Sequence, residues 1–250
     1  MKLIKGIILC EGITDKVLLG SYMQNVHGWV YSKKYRQEFF PKDDVDWYTN
    51  RTGEIVGIWA VGGCNFVPAI NRIMRFIKID NCINRIAVIS DHDDEESGVT
   101  RSQEVFDEVN KVLGVKDYDE DCYKSHYNEW LAVDFIDGFG EPNRLHMCYL
   151  EVPRDSQGAL ETFMLDELSK NDTAKEEVII QVKQFLKELK SEVYLKKRRD
   201  RIKADLSVSV SIFVPDRMFD TLIELIGLVD WKQFNSWNEQ FGELDYIWAK

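Results

Sequence analysis

The five cysteines of this 250-residue chain (Cys10, Cys64, Cys82, Cys122 and Cys148) include no CxxC pair. That spacing argues against a thiolate zinc site and against a disulfide framework, so the thiols read as small buried hydrophobes. Histidine is scarcer: His27, His92, His126 and His146 show no HxxxH spacing, which removes the helical zinc pair as well. No stretch reaches the roughly 18 consecutive apolar residues of a membrane-spanning helix, so no membrane partner is expected. The opening Met1-Lys2-Leu3-Ile4-Lys5 has charge inside its apolar run and leads to an acid at Glu11. A secretory leader would be longer and would end in small residues, so the expected compartment is the cytoplasm. GxxxxGK[ST] is absent, as are internal repeats and low-complexity linkers. The chain therefore holds no P-loop, and no freely moving domains are expected.

Positive charge is also in deficit. A net charge of −11 counts against a general nucleic-acid binder. It does not exclude a metal-dependent nuclease, which gathers acids at its metal and needs only a local basic surface. The run Lys196-Lys197-Arg198-Arg199-Asp200-Arg201-Ile202-Lys203 is a candidate for such a surface, and reads equally as a solvated helix face.

With 44% hydrophobic and 30% charged residues, the chain can bury a sizeable core. Its organising stretch is Ile7-Ile8-Leu9-Cys10-Glu11-Gly12-Ile13-Thr14-Asp15, a buried strand that ends in acids and precedes a helix over 15–24. Thr14 suits the cap of that helix. The pattern returns at Ile86-Ala87-Val88-Ile89-Ser90-Asp91-His92-Asp93-Asp94. Between them, a strand over 54–61 leads through Gly62-Gly63-Cys64-Asn65 into a helix that ends near Ile79. Asn65 there suits a helix cap or a phosphate contact, and free amides of the glycine turn can hold an anion. Further strands are expected over 131–136 and 145–152, and a helix over 101–113. This alternation predicts an α/β domain over 1–153 with a mainly parallel sheet flanked by helices. The aromatic segment 28–53 reads as a hairpin or a surface insertion. Residues 154–250 read as a mainly helical extension packed on the sheet, with helices over 173–194, 216–226 and 231–241 and a β-branched stretch over 208–214.

Ligands of open α/β sheets bind at the C-terminal ends of the strands. If the two acidic strands are neighbours, Glu11, Asp91 and Asp93 converge there and call for a cation. Asp15 reads either as a further ligand or as an acid complementing the helix dipole. Asp94, with Glu95 and Glu96, reads as a second shell or as a solvated acidic face. His92 reads as a loop residue, because Mg²⁺ disfavours imidazole.

Glu11-Gly12-Ile13-Thr14-Asp15, then Gly62-Gly63-Cys64-Asn65, then Asp91-His92-Asp93, resemble in order and spacing the motifs of the Toprim domain. The resemblance covers about residues 1–155, and with Leu160-Glu161 it leans toward OLD-type nucleases and small stand-alone Toprim proteins of uncharacterised function. It implies a Toprim-like sheet and a Mg²⁺-dependent phosphodiester hydrolase acting on DNA or RNA, with Mn²⁺ as a substitute ion. Glu11, Asp91 and Asp93 would be catalytic, and Glu11, Asp15, Asp91 and Asp93 metal-binding. Gly62, Gly63 and Asn65 would lie near phosphate, and Ser90, Asp94 and Glu161 in an outer shell. Glu161 reads equally as an acid in the first turn of a helix. The tyrosine nucleophile of topoisomerases, the zinc module of primases and the ATPase of OLD nucleases are not recognisable here, so an ATPase would be supplied in trans. Two other readings stay open: a non-cleaving subunit that binds metal and nucleic acid, and a nucleotide phosphotransfer enzyme, which the acidic charge suits better.

Overall fold

The computed structural model describes residues 4–33, 39–42, 44–79, 83–93, 97–115, 128–170, 172–189, 193–217, 231 and 235–248. In chain order its elements are β1 (Ile4–Cys10), α1 (Ile13–His27), β2 (Val30–Tyr31), β3 (Val45–Thr49), β4 (Ile55–Ala60), α2 (Val67–Ile79), β5 (Arg85–Asp91) and α3 (Ser97–Leu113). There follow β6 (Trp130–Ile136), β7 (Pro142–Val152), α4 (Leu160–Ser169), α5 (Thr173–Glu188), α6 (Arg198–Phe213), α7 (Asn235–Phe241) and α8 (Asp245–Trp248).

β1 is buried along its whole length. A strand loses both faces to solvent only when neighbours satisfy its backbone and a layer covers each side. Both conditions hold. The sheet runs β2-β3-β4-β1-β5-β7-β6, with β4, β1, β5 and β7 parallel. The edges are antiparallel: β2 and β3 pair beyond β4, and β6 folds back on β7. The protein is thus mixed α/β, parallel at its centre. Helices supply the crossovers that parallel neighbours require, whereas β6 and β7 need only a tight turn. The aromatic segment supplies the β2–β3 edge, so its hairpin reading is the one the fold adopts.

Side chains of β1 alternate between two cores. Ile8 and Cys10 join Leu18, Leu19 and Tyr22 of α1, Phe163 and Met164 of α4, and Leu206 and Val210 of α6. Ile7 and Leu9 join Ile70, Ile73 and Met74 of α2 and Val105 and Val109 of α3. The sheet is therefore sandwiched between two helical layers. Among the described residues, no helix is long and apolar enough to cross a membrane.

Two local expectations are corrected, and a stretch without an assigned element is resolved. Thr14 does not cap α1; Gly12 holds the cap position, and its N–H donates back to Asp15 Oδ2 at 2.7 Å. The β-branched stretch 208–214 is helical through Phe213, because α6 buries Leu206 and Val210 against α4 and α5, and packing outweighs a weak intrinsic preference. The helix begun at Thr173 stops at Glu188 rather than near 194. Most of the helix expected over 216–226 lies outside the described residues.

The C-terminal segment closes the first core. Trp237 is fully buried, stacked on Tyr22 of α1 at 5.2 Å and set against Phe163 of α4 and Trp231. Aromatic rings of this size dominate core energetics. Trp237→Ala is expected to cost about 3–5 kcal/mol. Urea denaturation should show the loss as a lower midpoint within one cooperative transition. A separate early transition of the C-terminal segment would mean that it is not part of this core.

Candidate metal centre

The parallel strands β1, β4 and β5 end at one edge, and Glu11 joins them there. Its main-chain oxygen accepts from both Gly62 N–H and Gly63 N–H at 2.9 Å, which ties the end of β1 to the turn after β4. Its side-chain Oε1 accepts from Asp91 N–H at 3.1 Å, which ties it to the end of β5. Gly62 and Gly63 sit at φ of 85° and 143°, a backbone region that side chains disfavour. The two amides are thus spent on Glu11, and the expectation that they hold a phosphate is corrected on that ground. Asn65 is exposed and precedes Phe66, which occupies the cap position of α2, so Asn65 is not the cap.

Asp91, the last residue of β5 and paired with Val152 of β7, meets two further acids. Carboxylate oxygens of Asp15, Asp91 and Glu161 lie within 4.8 Å of one another. Asp15 arrives from the first turn of α1. Glu161 arrives from the first turn of α4, by a specific route. His92 N–H donates to Val152 O at 3.2 Å, and Gly158 N–H donates to His92 O at 2.9 Å. The chain leaving β7 is thereby pinned against the end of β5, and α4 starts directly over Asp91. Leu160 N–H points to Asp91 Oδ1 at 3.4 Å.

The remaining expected residues fall elsewhere. Asp93 is exposed and outside this trio; its Oδ2 accepts from Arg101 Nη2 at 2.9 Å. Arg101 Nη1 lies 3.6 Å from Glu11 Oε1. Ser90 is buried and accepts from the Tyr149 hydroxyl at 2.9 Å. His92 is fixed by Nδ1 on Pro153 O at 2.9 Å. Asp94 lies outside the described residues. Glu161, which in the sequence reads as an outer-shell acid by resemblance or as an acid at a helix start, stands within the trio itself, brought there with the pairing of His92 and Gly158.

The basic run 196–203 lies along the rim of these acids, with Lys196, Lys197, Arg198, Arg199 and Arg201 still exposed to solvent. Arg198 Nη1 donates to Asp93 O at 3.0 Å, and Lys203 Nζ lies 3.8 Å from Glu161 Oε1. A Cβ built on Gly12 would stand 2.8 Å from Arg199 Nη2, so the glycine after Glu11 makes room for a guanidinium.

Burial pushes Asp91 up to about 8, aided by the charges of Asp15, Glu11 and Glu161. Burial likewise pushes Asp15 up to about 7, aided by Glu161 and opposed by the Gly12 amide. Glu11 is also raised by burial, against the Asp91 amide and Arg101. Acids so placed resist ionising together. Glu161, 2% exposed, leaves Oε1 without a hydrogen bond. All-oxygen ligation, repulsion between the acids and an orphaned buried oxygen fit a hard divalent cation such as Mg²⁺ or Mn²⁺ held by Asp15, Asp91 and Glu161.

Residues 5–239 match the family described as Protein of unknown function (DUF3226), and the chain belongs to that family. The crystal structure of a hypothetical protein from Pyrococcus horikoshii OT3 is similar at 13% identity, over 90% of this chain and 95% of that one, with a TM-score of 0.44. No curated protein of known function matches the chain.

Asp15 and Asp91 have folded values near 7 and 8 against an ordinary 3.8. The folded state therefore binds these protons more tightly than the unfolded one. The resulting stabilisation is complete below about 4 and is lost as pH rises through about 7 to 8. The urea midpoint of the metal-free protein is expected to fall between pH 6 and pH 9. Asp91→Asn should flatten that slope and add on the order of 1 kcal/mol at high pH. Mn²⁺ should restore stability most at high pH, where its ligands are already deprotonated. A midpoint indifferent to both pH and Mn²⁺ would rule out the coupled acid site.

Proposed function

We propose that this DUF3226 protein is a divalent-metal-dependent phosphodiester hydrolase of Toprim type, a nuclease acting on DNA or RNA. One observation carries the reading: carboxylates of Asp15, Asp91 and Glu161 within 4.8 Å of one another. The cationic side chains of Arg198, Arg199 and Lys203 along their rim add to it. Clustered acids next to a basic helix start suit a metal-bridged phosphate better than a neutral or cationic ligand.

When bound, a divalent cation supplies Lewis-acid polarisation of a phosphoryl oxygen and neutralises charge developing on it. The chain's own residues do the rest. Asp15, Asp91 and Glu161 are anchored on three separate elements, so the ligand oxygens are preorganised. Glu11, raised by burial and steadied by the Asp91 amide, is placed to exchange a proton with the nucleophile or the leaving group. Arg199 and Lys203 can turn from the acids to phosphate oxygens once a metal has satisfied those acids. Arg198, held on the Asp93 carbonyl, keeps the start of α6 against the site.

Cleavage of supercoiled plasmid and of single strands with Mg²⁺ or Mn²⁺ tests this. Second-shell substitutions at metal sites commonly cost about 10–100-fold, so Asp91→Asn and Glu161→Gln, which remove ligands, should cost on the order of 100-fold or more. Metal-dependent nicking that survives both would come from a contaminant and sink the nuclease reading. Arg199→Ala should weaken binding of nucleic acid and lower the slope of log affinity on log salt by about one. Gly12→Ala should act alike, because its Cβ would press on the tip of Arg199 at 2.8 Å and make only ordinary contact with Asp15 at 3.5 Å. Salt-sensitive binding without cleavage would favour the non-cleaving subunit.

A further inference from the structure

The acids at the sheet edge form two groups that meet different cations. Asp15, Asp91 and Glu161 form the first, with Lys203 Nζ at 3.8 Å from Glu161 and, among the described residues, no hydrogen bond to Glu161 Oε1. Glu11 and Asp93 form the second. They share one guanidinium: Arg101 Nη2 sits 2.9 Å from Asp93 Oδ2, and Nη1 sits 3.6 Å from Glu11 Oε1. Nη1 is buried and has no other hydrogen-bond partner. The side chain of Arg101 is 18% exposed, and it rises from α3, whose position is fixed by packing on α2.

We propose that Arg101 is a built-in cation that occupies the position of a second metal ion, so that this chain binds one divalent ion and not two. The inference rests on the metal reading of the first group. Its physical ground is charge and room. Glu11 and Asp93 are already neutralised by a charge that cannot be lost, because an arginine stays protonated at any working pH. A second divalent ion would have to expel a half-buried guanidinium that, among the described residues, pairs with these two acids alone. The first group repels itself and meets only the partly exposed Lys203 ammonium, 3.8 Å from Glu161. A planar guanidinium also keeps donors for a phosphate oxygen, which a saturated metal pair would otherwise supply. Arg101 in this role is a positioning and charge-neutralising residue.

The test counts ions on the folded, full-length chain without assaying cleavage. Mn²⁺ is titrated at pH 8.5 by calorimetry, and bound Mn²⁺ is read by electron paramagnetic resonance, where two ions about 4 Å apart couple magnetically. The wild type is expected to bind one Mn²⁺ per chain with an uncoupled spectrum. Arg101→Gln should bind two, with a coupled spectrum, and Asp93→Asn in that background should return the count to one. Arg101→Lys keeps the charge and should hold the count at one; it serves also if Arg101→Gln does not fold. Two ions in the wild type, lost to one in Asp91→Asn, would overturn the role of Arg101 while leaving the metal reading intact. A count of one in folded Arg101→Gln would overturn it equally. No ion in the wild type would overturn the metal reading, and the role of Arg101 with it.

Discussion

The double anchoring of Glu11 is the constraint on which the site depends. Its carbonyl oxygen takes two amides from the turn after β4, and its carboxylate takes the amide of Asp91 at the end of β5. Parallel strands leave their C-terminal carbonyls and amides partly unpaired at the sheet edge, and buried polar groups must find partners. Here one residue collects them across three strands. The register of β1 against β4 and β5 is therefore continued past the last ladder bond. Asp91 cannot shift along its strand without breaking the bond to Glu11, and the acid pair is set by the backbone before any ligand arrives. The turn carries positive φ at both residues, a conformation that glycine adopts without steric cost.

A buried acid fixed in this way raises an electrostatic problem that the rest of the chain answers. Glu11, Asp15 and Asp91 all resist ionisation because burial removes the water that would stabilise their charges. Natural structures relieve such crowding with protons, bound cations or basic side chains. Arg101 relieves Glu11 and Asp93, and Arg199 and Lys203 reach Glu11 and Glu161 from α6. A metal proposed at Asp15, Asp91 and Glu161 would relieve the part that no side chain covers fully. The C-terminal helices are thus more than a cover for apolar surface: α4 brings the third acid, and α6 brings the compensating charge.

The order of strands and helices to residue 153 was legible because burial on both faces leaves continuous apolar runs, and because glycine and acid punctuate the strand ends. The convergence of Glu11 with Asp91 followed from placing two such strands side by side. Three things were not legible. Asp93 follows Asp91 by two residues, a spacing that would put both on one face if the chain stayed extended, so only the actual path of the chain after β5 decides whether the acids share a site. Glu161 lies seventy residues from Asp91, joined to it by the bridge of His92 with Gly158, and no periodicity encodes that contact. The basic run shows its charge in the sequence but not its direction. Its helix brings the start of the run to the rim of the acids because Leu206, Ser209 and Val210, further along α6, are buried, while the basic side chains stay exposed.

The net charge of −11 and this basic helix start are compatible once distance is taken into account. Charge averaged over a chain sets long-range attraction, and salt screens exposed charges beyond roughly 8 Å at physiological strength. The contacts of Arg198 and Lys203 with the acid edge span 3.0 and 3.8 Å, well inside that length. If the proposed nucleic-acid partner binds, the acidic balance would repel it from much of the surface and the start of α6 beside the strand ends would attract it. The net charge would then limit non-specific adhesion elsewhere. Such a protein would gain affinity from the metal and from α6 together, and either alone would be insufficient against the global repulsion.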